Sequence, residues 1–120
     1  MQDARSPVAV NEEQGVRVVE FTDSKILDEA NIEQIGHRLF EIIGSAPKPK
    51  ILLDFANVDH LSSAALGKLL QAREKVRDVN GQLRLCDIKP QIFEVFTITK
   101  LDKLFRVYPT RTDAMASFDT

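Results

Sequence analysis

Residues 51–70 read ILLDFANVDHLSSAALGKLL. Ile51, Leu52, Leu53, Asp54 and Phe55 form a nearly continuous apolar run, the pattern of a central strand covered on both faces. The polar segment ANVDH follows, then Leu61 and the pair Ser62 and Ser63. From there Leu66, Leu69, Leu70, Arg73 and Val76 recur at helical spacing, and Asn80-Gly81 is a stop signal, so a helix is predicted over 63–79. A buried strand running through a short loop into a helix is one step of an α/β fold.

The flanking sequence repeats that step. Upstream, Asp28 precedes Ile32, Ile35, Leu39 and Ile42, one buried helical face, and Gly44 followed by Pro47 and Pro49 ends a helix over 29–43. Two short β-branched runs, 7–11 and 16–21, stand on either side of the polar loop Glu12 to Gly15 and read as an opening hairpin. Downstream, 82–86 is a short strand, and Pro90 opens a helix carrying Ile92, Phe93, Val95 and Phe96. A last strand over 104–108 ends at Pro109, and Thr110 is placed to cap a final helix through Phe118. The order β, β, α, β, α, β, α, β, α predicts a mixed sheet of about five strands with about four helices, parallel after the hairpin. Residues 1–6 are expected to be a flexible segment and 7–120 one domain, since 120 residues fall below the length at which a second core forms.

Composition narrows the function. Sixteen Lys plus Arg against eighteen Asp plus Glu, with signs interspersed, leave a net charge of -2 and no electrostatic footprint for nucleic acid or an anionic membrane. Cys86 is the one cysteine, so no intrachain disulfide or thiolate metal cluster is available, which fits a reducing compartment. The start MQDARSPVAV has no signal-peptide pattern, and no apolar run approaches the ~20 residues of a membrane span. A cytoplasmic, soluble protein is expected, with no nucleic-acid or membrane partner.

Enzyme motifs are sparse. Neither GxGxxG nor GxxxxGK[ST] occurs, and His37 and His60, the two histidines, lack metal-ligand spacing, so neither cofactor nor metal is expected. A serine hydrolase built on Ser63, His60 and a carboxylate lacks GxSxG. Ser63, at the junction of the apolar strand and the helix, has two readings. Its hydroxyl can cap an unpaired backbone N–H, the reading local features favour. Alternatively it accepts a phosphoryl group, whose charge suits the helix dipole and alters any surface that docks there.

The same stretch resembles the central segment of a STAS domain, specifically the bacterial anti-sigma factor antagonists, in which a hydrophobic strand ends in a loop and a D-S-[ST]-G-L-G signature starts a helix. Ser63 matches the serine phosphorylated in that family, Ala64 the following Ser or Thr, and Leu66 and Gly67 the Leu-Gly. Ser62 stands where the aspartate usually is, and Ala65 replaces the first glycine. Asp28 matches the aspartate of the family's G-E-[LI]-D turn, with Lys25 and Ile26 in place of Gly-Glu, and the sequence from Gly81 to Phe118 follows the family's C-terminal pattern. The resemblance implies a STAS fold after about Val8. It implies a non-enzymatic antagonist that binds an anti-sigma factor serine kinase, so acting on a sigma factor indirectly, and is switched off by phosphorylation of Ser63 and restored by a serine phosphatase. ATP and Mg²⁺ come from the partner. Docking is expected to use Asp28, His60, Leu61, Ser62, Ala64, Ala65 and Gly67. Within the same fold the alternative is a STAS subunit of a transporter or signalling scaffold that no kinase modifies.

Overall fold

In the computed structural model, which describes residues 6–118, the chain forms a five-stranded mixed sheet flanked by four helices. The hairpin strands β1 (Val8–Glu13) and β2 (Val16–Phe21) are antiparallel. Gln14 and Gly15 both have positive φ, 52° and 82°, so the expected four-residue loop contracts to a two-residue turn of the type whose twist matches the strands. The first strand therefore runs two residues past Asn11.

A two-residue strand β3 (Lys25–Ile26) leads into α1 (Glu29–Ile43), whose bounds match those predicted. The buried strand is β4 (Lys50–Asp54), and it is followed by a second two-residue strand, β5 (His60–Leu61). Next come α2 (Ser63–Asp78), β6 (Gln82–Cys86) and α3 (Pro90–Ile98). A 3-10 turn (Leu101–Lys103) precedes β7 (Arg106–Tyr108) and α4 (Arg111–Ala116). The main sheet has the order β1-β2-β4-β6-β7, with every pair after the hairpin parallel. The last strand is shorter than 104–108 because Leu104 closes the 3-10 turn, its amide N–H donating to the Leu101 carbonyl at 2.9 Å. The last helix ends at Ala116, two residues before Phe118, with Ser117 as its C-cap. The segment expected over 1–6 lies, apart from Ser6, outside the described residues.

Alternation along β2, β4 and β6 splits the core in two. Val19, Leu53 and Leu85 face α1, α2 and α3, while Val18, Leu52 and Cys86 face α4. On the larger side Phe21, Phe55, Phe96 and Phe105 form a ladder of rings with centroids 4.9, 6.3 and 6.0 Å apart, tilted or edge to face. Lys68 Nζ, 3.2 Å from Glu33 Oε2, links α2 to α1 across their packed faces.

Candidate functional site

The segment after β4 is more ordered than its polar sequence suggests. Val58 is fully buried, and the Asp59 and His60 amides both donate to the Ser24 carbonyl, at 2.7 and 3.1 Å. β5 then pairs in parallel with β3, Lys25 with His60 and Ile26 with Leu61, and the Ser62 amide donates to the Ile26 carbonyl at 3.1 Å. This short ladder is what brings the Asp28 turn and the double serine together, because it holds the two strands that lead into α1 and α2 side by side. Two helix N-termini thus open at neighbouring positions on one end of the sheet.

Both starts are capped. Asp28, extended at φ -79° and ψ 132°, accepts the Asn31 amide on Oδ2 at 3.2 Å. Ser62, extended at φ -83° and ψ 165°, accepts the Ala65 amide on Oγ at 3.2 Å. Capping of α2 is therefore the work of Ser62. Ser63 is the first helical residue, exposed, and its hydroxyl has no hydrogen-bond partner among the described residues. The α1 start carries Asp28 and Glu29, whereas the first turn of α2 holds no acidic residue, so its partial positive charge is not offset locally.

The other predicted site residues divide by exposure. His60 and Ala64 are exposed, Leu61, Ser62 and Gly67 are half-buried, and Ala65 is buried at 5%. The Ala65 methyl faces the core shared with Ile32, Ile35 and Leu69, and its backbone N–H donates to the Ser62 cap. A Cβ on Gly67 would meet nothing within 4 Å. That glycine costs the helix roughly 0.5–1 kcal/mol against alanine, and no contact within the chain requires it.

One residue at this end was missed from sequence. Leu27, between buried Ile26 and the Asp28 cap, is 53% exposed. Alternation in an extended segment carried the signal, since its neighbour Ile26 points inward. Nearby, Lys89 pairs with Asp59, joining the residue that precedes α3 to the same loop, and holds the Asp59 carboxyl below its ordinary value. Burial pushes the Cys86 thiol up, with Asp54 and Asp87 adding to the shift, so this cysteine stays a protonated packing group. His60 shares no hydrogen bond with Ser63 among the described residues. No described helix is long and apolar enough to cross a membrane.

A five-stranded mixed sheet that presents two capped helix starts side by side, linked by a short parallel ladder, defines a small α/β module with a paired helix-terminus surface. The STAS domain model matches residues 7–114, and the chain belongs to that family. A Bordetella bronchiseptica protein named as the anti-sigma factor antagonist BtrV is 34% identical over 95 residues, covering 79% of this chain and 81% of that one. Among solved structures, an anti-sigma-factor antagonist (STAS) domain protein from Planctomyces limnophilus superposes with a TM-score of 0.84 at 25% identity, over 92% of this chain and 96% of the other. The Bacillus cell fate determinant SpoIIAA, solved in its phosphorylated form, shares the fold with a TM-score of 0.66 at 20% identity, over 91% and 96% of the two chains.

Proposed function

We propose that this chain is an anti-sigma factor antagonist whose docking surface is the paired start of α1 and α2 and whose switch is the hydroxyl of Ser63. The observation that carries the reading is the division of labour between the two serines: Ser62 holds the cap, which leaves Ser63 exposed and uncommitted on a helix end without acidic residues. Asp28, Leu27, His60, Ala64 and Gly67, on the two helix starts and the ladder that joins them, make up the contact set with it. The partner is a kinase-type anti-sigma factor that brings ATP and Mg²⁺. Ser63 Oγ attacks the γ-phosphorus, the new Oγ–P bond forms as the bond to the β-phosphate oxygen breaks, ADP leaves, and the hydroxyl proton passes to a base of the partner or to water. The added charge of about -1.5 to -2 suits the α2 terminus but opposes the docked partner, which ends the complex. A serine phosphatase reverses the modification by hydrolysis. In this reading the chain itself contributes a hydroxyl and a surface, and no catalytic group.

The relatives named as antagonists support the binding role, and SpoIIAA in its phosphorylated form offers a precedent within the fold. Phosphopeptide mapping after incubation with the cognate anti-sigma factor and Mg-ATP tests it, with label expected on Ser63. Label on Ser62 alone would overturn the assignment, and a chain that binds its partner without taking up phosphate would be an unswitched STAS module.

A further inference from the structure

At the far end of α2 the chain builds a groove of about 620 Å³ between the last turns of that helix, the first residues of β6 and β7, and the end of α4. Four arginines line it, Arg73, Arg77, Arg84 and Arg106, over a floor that includes Leu83 and Phe105, and none of the described residues that line it is an aspartate or a glutamate. That is an uneven distribution for a chain with a net charge of -2.

The four side chains play different parts. Arg84 is buried and fixed: Nε donates to Ser117 Oγ at 3.0 Å, Nη1 to the Leu83 carbonyl at 3.2 Å and Nη2 to Gln82 Oε1 at 3.0 Å, with the guanidinium 5.0 Å over the Phe118 ring. Arg73 donates from Nε to the Leu104 carbonyl at 2.8 Å, and its Nη1 is 3.8 Å from exposed Glu74. Arg77 and Arg106 are exposed, and no ion pair among the described residues includes either one. A guanidinium cannot relieve crowding by losing its proton. Arg77 and Arg106 therefore keep their charge on the rim of the same concavity, and a ligand that brings negative charge offsets it.

The geometry points to a binding site for a phosphate-bearing small molecule in this groove. Guanidinium groups match phosphate oxygens in pairs, two of the four are preset by contacts within the chain, and the volume is in the range of small-molecule sites, roughly 300–1,000 Å³. The groove is also remote from Ser63: the 14 residues of helix from Ser63 to Arg77 span roughly 21 Å at 1.5 Å per residue. The site therefore does not depend on the reading of Ser63.

Inorganic pyrophosphate, titrated into the ¹⁵N-labelled full chain at low ionic strength and followed by NMR, tests the assignment. Saturable shifts are expected at the amides of 80–84 and 105–107, with those of 29–32 and 63–66 unmoved, and Arg77→Gln together with Arg106→Gln should weaken binding at least tenfold. Both arginines are exposed, so an unchanged spectrum away from the groove verifies that the double variant is folded. Shifts centred on 29–32 and 63–66 would assign the anion to the helix starts instead. Movement that never saturates, or is equal in variant and wild type, would reduce the effect to ionic screening. Tighter saturation by a glutamate-rich peptide at equal ionic strength would make the groove a protein-docking surface. Each of these three results overturns the proposal.

Discussion

The starts of α1 and α2 are alike in backbone and unlike in charge. Each has an extended residue whose side chain accepts the amide three positions on, and each follows a strand of the same two-residue ladder. But α1 begins with Asp28 and Glu29, while α2 begins with Ser62, Ser63 and Ala64. The dipole of α1 is offset from the outset; that of α2 is left for something else to offset. One terminus is finished and the other receptive, which is why two adjacent helix ends of the same fold are unequal as places to add a phosphate.

Removing the caps gives the largest expected change in stability. Ser62→Ala should cost about 1 kcal/mol, since the Ala65 amide loses its acceptor, and lower Tm by roughly 3–6 °C. Asp28→Ala should cost more, by a further ~0.3–1 kcal/mol, because a charge favourable to the dipole leaves with the cap. Thermal melts in low salt measure both. Equal losses would show that the charge difference between the two starts has no energetic weight.

Gly67 comes next. With open space where its Cβ would be, Gly67→Ala should stabilise the chain by roughly 0.5–1 kcal/mol. If a partner approaches α2 closely there, the same methyl should weaken the complex, so stability and affinity move in opposite directions. A variant that is more stable and binds as before would remove Gly67 from the docking surface.

Ser63→Asp probes the receptive terminus itself. A carboxylate in the first turn of α2 should raise stability by ~0.3–1 kcal/mol, while affinity for the anti-sigma factor falls at least fivefold. Ala30→Asp is the first-turn control on α1, one position further from its cap, where Asp28 and Glu29 are already in place, and its gain should be smaller. An equal gain at both positions would mean that the acidic residues of α1 do not saturate its terminus.

Much of this was readable in advance. The bounds of α1 follow from an aspartate cap and a glycine stop around a strict apolar stripe, and β6 from its position between Asn80-Gly81 and the later Pro90. The β3 to β5 ladder was not, because two residues carry no periodicity and their pairing joins positions 35 residues apart. For the same reason ANVDH read as a plain loop although Val58 is fully buried. The sequence places two serines at a helix start, but which of them caps depends on where the backbone turns helical, and only the structure resolves that. Arg111, which reaches Glu20 at 3.0 Å, Glu13 at 3.3 Å and Asp54 at 3.6 Å, was equally hidden, since its partners lie on three separate strands.

The smallest expected effect concerns the two acids at either end of the loop that leads to α2. Asp59 is partly exposed, and its hydrogen bond from Lys89 holds the carboxyl below its ordinary value. Its contribution is therefore present above the unfolded pKa, about 4, and disappears as pH falls through the lower folded value. Asp54 is buried, and desolvation pushes its carboxyl up, opposed by the Ala56 amide at 2.9 Å and by Arg111, and reinforced by Asp87 and Glu20. Its sign is reversed: the folded state loses stability as pH rises from about 4 through the raised folded value. Tm followed from pH 2.5 to 6 should separate the two. Asp59→Asn should make the acid limb below about pH 4 shallower, and Asp54→Asn should remove part of the decline above it. The Asp59 change should be slight, because an exposed pair is screened by solvent and salt. An acid limb left unchanged by Asp59→Asn would mean that the Lys89 pair does not fasten the start of α3 to the loop before α2, and that the loop is held by the Ser24 carbonyl and the β3 to β5 ladder alone.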